Sequence, residues 1–399
     1  MFFKNLVTLF SGTAVAQLIP LIALPFLTRL YSPSDFGQYG LFVAIVAIGA
    51  VFSTLRFDLA IAQANTDEDS SKLLVNTIAL CFSISIVILL ISLNISEVRV
   101  RFNIIEQILI ALSIFSLGAG QSITYYNNRD SKFKLTAKAK VFQATSGLIL
   151  MLCLSGFSSL GLILGHVIGQ VTFVALSILK SRLKVRTAYK LLSLSILTSN
   201  KEYAFLSAPG SVLNTIFLHL PTVQIKNLYD DISLGYFSFV TRYVAGPLSL
   251  LSVATSQALL RELVHGTSSQ IKMLVNKITL INIAISIVFV IFTFSVGEWL
   301  IVFALGSNWA GMSIVLKVLS FSIAIRFIVS PLSVVLSKRE NLKLGLQWQL
   351  LSFIALGIFL ISFQPLEFLS FLEAFVILDC ILYLIYYVFI RVGILRAYK

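Results

Sequence analysis

The stretch LVTLFSGTAVAQLIPLIALPFL, Leu6–Leu27, decides the class of this chain. It carries no charge over 22 positions, and only Lys4 precedes it. At 1.5 Å per residue such a run extends ~33 Å, enough to cross a hydrocarbon core of ~30 Å. It is too long for the apolar segment of a secretory signal and lacks a small-residue cleavage site. It therefore reads as a first membrane span.

Composition extends that reading to the whole chain. Of 399 residues, 58% are hydrophobic and 12% charged. Ordinary soluble domains run at about 45–50% and about 25%. A soluble fold has nowhere to hide so much apolar surface. With the first run widened to 6–30, apolar runs recur at 36–61, 73–94, 104–126, 134–155, 158–180, 203–226, 232–258, 275–295, 311–336, 342–363 and 366–390. The expected fold is all-α: a polytopic membrane protein of about twelve transmembrane helices. The longest connections, 181–202 and 296–310, are too short to fold as domains. Chemistry is thus confined to the bilayer and its faces.

A net charge of +13 by itself is compatible with nucleic-acid binding, but its placement is not. With the N-terminus in the cytoplasm, 23 Lys and Arg fall in inner segments and 4 in outer ones. That asymmetry is the positive-inside pattern and sets both termini inside. Basic inner segments also face an anionic leaflet. Cys81, Cys153 and Cys380 are isolated in apolar runs, and no CxxC, HExxH, Walker or GxSxG pattern occurs. No metal site, cofactor or ATP-driven mechanism is indicated.

The chain resembles itself at an offset of 198 residues. Gly12 meets Gly210, Leu30-Tyr31 meets Leu228-Tyr229, and Phe36-Gly37 meets Leu234-Gly235. Pro20 and Pro25 interrupt the first span of one half; Pro209 and Pro221 interrupt that of the other. Six spans separate the copies, so the halves share one orientation and their pseudo-twofold axis runs along the membrane normal. The expected organisation is a six-helix lobe at 1–180, a basic cytoplasmic linker at 181–202, and a second six-helix lobe at 203–399. A cleft between two such lobes, opened alternately by rocking, suits a transporter.

Ionisable residues inside spans mark pathways or partners, because each costs at least ~2.5–3.5 kcal/mol to insert. Arg242 and Arg326 fall near mid-depth, and Lys317 lies closer to the outer side. Guanidinium forks suit phosphate oxygens, which makes Arg242 and Arg326 candidates for an anionic headgroup. The competing reading pairs either arginine with Asp379 or lets Lys317 snorkel. Lys317 and Arg326 are nine residues apart, on roughly opposite faces of a helix. Asp379 is the candidate for proton or cation coupling, with a buried ion pair as its alternative. Arg56 and Asp58, two apart, face differently on a continuous helix and read as an interfacial pair or gate. His166 and His219 read as interhelical hydrogen-bonding groups. Trp299 and Trp309 flank an outer loop as interfacial anchors do.

The segment PFLTRLYSPSDFGQYGLF, Pro25–Phe42, followed by LRFDLAIA, Leu55–Ala62, resembles the amino-terminal signature of bacterial polysaccharide biosynthesis proteins. These are the O-antigen and capsule repeat-unit flippases of the multidrug/oligosaccharidyl-lipid/polysaccharide exporter superfamily. Arg29, Asp35, Gly37, Arg56 and Asp58 match that signature, which places Arg29 among the candidate substrate contacts. The resemblance implies a multi-pass inner-membrane flippase for undecaprenyl-pyrophosphate-linked oligosaccharide. It also implies a cationic cavity, coupling to H+ or Na+, membrane lipid as surroundings, and a glycan polymerase and chain-length regulator as partners. Arg242 and Arg326 follow no family motif and rest on their position alone.

Three rivals remain. A multidrug or cation antiporter of the same fold would favour acidic cavity residues, whereas the mid-span balance here is basic. A membrane-integral glycan polymerase or ligase would carry a large outer loop. A membrane scaffold would not need mid-bilayer arginines.

Overall fold

The computed structural model describes residues 2–181, 190–265, 268–337 and 339–397. Arg182, Lys184 and Arg186 of the expected linker, together with Lys338 and Lys399, lie outside the described residues. Among those described there is no strand. Sixteen α-helices follow in order: α1 (Phe2–Leu30), α2 (Pro33–Thr54), α3 (Phe57–Gln63), α4 (Asp67–Asn94), α5 (Ser96–Arg101), α6 (Ile104–Arg129), α7 (Phe133–Cys153), α8 (Ser159–Leu179), α9 (Leu194–Ser199), α10 (Ala208–Leu228), α11 (Asp231–Phe239), α12 (Ala245–His265), α13 (Ser268–Leu305), α14 (Met312–Val329), α15 (Leu342–Ser362) and α16 (Phe368–Ala397). Nine helical stretches among the described residues are long and apolar enough to cross a membrane. α1, α7 and α10 have 29, 21 and 21 residues, and the twelve-span reading needs all three.

Chain contacts define two compact units, Met1–Leu220 and Pro221–Lys399, with the boundary inside α10. In the first unit α1 packs on α7, α7 on α8, α4 on α6 and α6 on α8. In the second, α13 packs on α14 and α14 on α16. The linker residues that are described dock on the first unit. Asn76 of α4, 4% exposed, donates to the Leu191 carbonyl at 3.0 Å and accepts from the Ser193 amide at 3.0 Å. Tyr203 donates to Gln63 at 2.7 Å.

The repeat seen in the sequence reappears as local chemistry. Ser32 caps α2 by accepting from the Asp35 amide at 3.2 Å, while the Asp35 carboxylate accepts from the Ser32 amide at 2.9 Å. At the matching position Asp230 caps α11, accepting from the Ser233 amide at 2.8 Å. Each cap satisfies amides that a helix start leaves open. The tyrosine before each cap reaches a carbonyl near the end of the fifth long helix of its unit. Tyr31 donates to Met151 at 2.5 Å and Tyr229 to Pro365 at 2.7 Å. Burial and the nearby Asp35 carboxylate push the Tyr31 phenol up to about 12, so it stays a proton donor.

Glycine sets the packing of α7 on α8. Gly161, Gly165 and Gly169 recur every fourth residue and face α7 or the turn that follows it. A Cβ on Gly165 would lie 2.7 Å from the Gly147 carbonyl, and one on Gly169 would lie 2.8 Å from the Gln143 carbonyl. Backbones in direct contact are how helices associate when lipid removes the hydrophobic drive. Elsewhere polar side chains join helices: Asn282 of α13 donates to Phe327 at 3.2 Å and Ser286 to Ala324 at 3.2 Å.

Two sequence expectations are corrected. The segment 296–310 is not an open loop. α13 runs through it to Leu305 with 38 residues, longer than a bilayer requires. Trp309 is not an interfacial anchor. It is 0% exposed and packed on Phe239 and Tyr236, with ring centroids 4.7 and 6.2 Å away. After the helix ends at Leu305, the short turn Ser307–Trp309 sets Trp309 into the aromatic cluster. Trp299 stays 62% exposed, stacked on Phe303.

Candidate functional site

Prolines inside spans deform the backbone, and charged residues sit at or beside two of those deformations. Pro247 has no N–H to offer the Tyr243 carbonyl, so the preceding turn widens. Val240–Val244 is a π turn in which the Ala245 amide reaches the Val240 carbonyl. Arg242 lies in that turn, exposed, with its guanidinium 5.8 Å from the Tyr243 ring. Single π turns inside α-helices concentrate at functional positions. The same logic explains the π turn Tyr203–Ser207 ahead of Pro209. At Pro331, α14 gives way to a 3-10 segment, Ser330–Ser337, and the Pro331 carbonyl accepts from Ser256 at 2.9 Å.

Arg326 lies one turn before that transition. Its Nε donates to Asp379 Oδ2 at 2.7 Å and its Nη2 to Oδ1 at 2.8 Å. Ser322 donates to the same carboxylate. The Asp379 side chain is 2% exposed and that of Arg326 is 30% exposed. The Tyr383 ring lies 5.4 Å from the guanidinium. Bidentate geometry plus a third donor gives both oxygens of the buried carboxylate hydrogen-bond partners. The unit thus holds an arginine compensated by protein yet open on one side.

Lys317 leaves α14 in another direction. It pairs with Glu298 of α13 at 3.3 Å, at a more exposed level. Arg29 is exposed in the last turn of α1, where a cation complements the helix dipole.

The first unit holds the second charged site. The apolar run 36–61 is not one helix: α2 stops at Thr54, and Leu55 and Arg56 take left-handed φ values of 43° and 61°. Each left-handed non-glycine residue costs roughly 1–2 kcal/mol. The break lies inside the helical bundle. Cys81, about 21 Å along α4 at 1.5 Å per residue, donates to the Ser53 carbonyl at 3.4 Å. A Cβ on Gly118 of α6 would lie 2.5 Å from Ser53 Oγ. The break turns Arg56 back toward Asp58, with Nη1 and Oδ2 at 3.8 Å. Asp58 Oδ1 and Arg56 Nε are both buried without a hydrogen-bond partner. On an unbroken helix these side chains would have diverged.

The structure therefore joins Arg326 to Asp379, Arg56 to Asp58 and Lys317 to Glu298, places the turn of Arg242 against α14, and puts Arg29 at the end of α1. Sequence reasoning missed Ser322 and Tyr383. Ser322 lies four residues before Arg326, and Tyr383 four after Asp379, so each shares a helix face with its charged neighbour. That spacing was the available signal. His166 accepts from or donates to Tyr39 at 3.1 Å, an interhelical contact.

No curated protein sequence matches this chain. Solved structures do. The fold is similar to that of the lipid II flippase MurJ in its inward closed conformation, with TM-score 0.69 and 15% identity over 99% of this chain and 90% of that one. It is similar to a multidrug resistance MATE family transporter of the MOP superfamily, inward-facing, with TM-score 0.68 and 14% identity over 98% and 95%. A MOP superfamily transporter from Pyrococcus furiosus, described by the reverse polarity of its binding pocket, matches with TM-score 0.61 and 15% identity over 99% and 96%. Residues 26–314 match the family described as Polysaccharide biosynthesis protein. With most of its length matched and its helices arranged in a transporter fold, the chain belongs to the polysaccharide biosynthesis protein family.

Proposed function

We propose that this protein is a flippase. It moves an oligosaccharide linked to undecaprenyl pyrophosphate, an O-antigen or capsule repeat unit, from the cytoplasmic to the periplasmic leaflet of a bacterial inner membrane. The movement is alternating access coupled to H+ or Na+ and involves no bond chemistry. One observation carries the reading: the span-level arginines Arg242 and Arg326, like Arg56 at the end of α2, sit at or beside irregular backbone, where a helix can change shape. Membership of a polysaccharide biosynthesis family and a fold shared with a lipid II flippase support it. The prenyl tail stays in lipid while the pyrophosphate meets guanidinium groups that offset its lost hydration.

In this scheme Arg242 and Arg326 hold the pyrophosphate, with Lys317 and Arg29 at outer positions along its path. Asp379 competes with phosphate for Arg326. Asp379 is the carboxylate at which this scheme places the coupling. Arg56 and Asp58 form a gate at the α2 break. The twelve-span count, cytoplasmic termini and lobe division at 181–202 belong to the same proposal.

A multidrug antiporter of this fold is the second reading, favoured by the multidrug transporter among the similar structures. Surface glycan and drug tolerance separate the two. In cells lacking the chromosomal copy, Arg242→Ala and Arg326→Ala should each abolish surface glycan while the protein still inserts. Normal glycan with both variants, or a change in drug tolerance alone, overturns the flippase assignment.

A further inference from the structure

Between the start of α7 and the end of α8 in the first unit lies a cavity of about 310 Å³. Its rim carries Lys132, Lys134, Lys138 and Lys180, and Leu135 and Phe142 line its wall. Lys132 comes within 3.9 Å of Asp130. Among the described residues no carboxylate pairs with Lys134, Lys138 or Lys180. Lys134 and Lys138 are four apart on α7, where like charges repel. Lys180 at the end of α8 adds a third ammonium. Such a cluster is stable when an anion fills it.

We propose that this cavity is a binding site for the phosphate headgroup of an anionic phospholipid of the surrounding bilayer. Three features select that ligand. Lysine ammoniums are compact charges suited to a phosphate whose position varies. The wall is apolar, and apolar side chains around it are left uncovered: Phe142 is 58% exposed, and Leu179, beside Lys180, is 75% exposed. Lys132 and Lys134 flank the start of α7, Lys138 lies one turn further along it and Lys180 follows α8, and helix ends are where a long membrane helix meets headgroups rather than chain methylenes. None of the arginines assigned to transport is among its lining residues, and its test needs no transport reading.

The test uses the full chain in detergent, stripped of lipid and titrated with phosphatidylglycerol or phosphatidylcholine, with bound lipid counted by native mass spectrometry. Wild type should hold phosphatidylglycerol at least tenfold more tightly than phosphatidylcholine. Each lysine near a membrane surface contributes about fivefold, so the triple variant Lys134→Gln, Lys138→Gln, Lys180→Gln should lose on the order of a hundredfold. Lys138→Gln alone should lose about fivefold, a milder variant in case the triple one fails to fold. Arginine at all three positions should retain the preference. Three opposite results overturn the proposal: glutamine variants that bind as wild type does, an equal loss from Lys201→Gln, Lys272→Gln, Lys277→Gln elsewhere, or displacement of phosphatidylglycerol by inorganic phosphate at equal concentration. Displacement by undecaprenyl phosphate in preference to phosphatidylglycerol also overturns it, and would mark the cavity as a substrate station.

Discussion

Asp379 accepts hydrogen bonds from three donors, two of them on one guanidinium. Removing its charge strands Arg326 in partly buried surroundings. Breaking a buried pair from one side costs about 3–5 kcal/mol, and the 30% exposure of Arg326 reduces that to about 1–3 kcal/mol. Asp379→Asn should therefore lower the thermal unfolding midpoint in detergent and slow glycan export. The double variant Arg326→Met, Asp379→Leu separates the roles. It should recover the unfolding midpoint, because neither charge remains, while export stays absent. Recovery of export together with stability would reduce the pair to scaffolding. At this scale the sequence was half legible. Spans and hydropathy located Arg326 and Asp379 within the membrane. That Ser322 and Tyr383 complete the group depends on how α14 and α16 rotate about their axes, which tertiary packing decides.

Helices α7 and α8 touch through glycine, and α2 ends at a break without glycine or proline. Gly165→Val would drive side-chain atoms into the Gly147 carbonyl and Met151, whose Cγ lies 2.5 Å from the position of a Cβ. Overpacking of this kind costs about 1–3 kcal/mol, so the variant should unfold at lower temperature. Gly357→Val in α15, with nothing within 4 Å of its Cβ, is the matched control and should change little. Equal losses would mean that valine itself, rather than the contact, is responsible. Legibility at this scale follows chemistry. Pro247 and Pro331 announce their deformations through a missing N–H, although the run 232–258 alone suggests one smooth helix. The turn at Leu55 and Arg56 had no such herald. Ordinary side chains are held there in a left-handed conformation by α4 and α6, which press on Ser53 through Cys81 and Gly118. A sequence-local reading has no access to those contacts.

Across the whole molecule the ranges read as spans are filled mostly by helix, the break at Leu55 and Arg56 apart, because a hydrocarbon solvent leaves the backbone few alternatives. The excess of lysine and arginine in alternate connections predicts that a green fluorescent protein fused after Lys399 fluoresces, whereas alkaline phosphatase fused there stays inactive. The reverse pattern would invert the assignment of every loop. What hydropathy did not convey was where helices stop beyond the lipid, since water and headgroups tolerate helix and loop alike. α13 shows this most clearly. At 1.5 Å per residue its 38 residues make a rod of about 57 Å, nearly twice the depth of the oil it crosses. A rod of that length is a lever: pivoting about its middle by ~10°, it swings each tip sideways by roughly 5 Å. Small rearrangements at mid-membrane are thereby magnified at Trp299 and Phe303, where an attached fluorophore would see them.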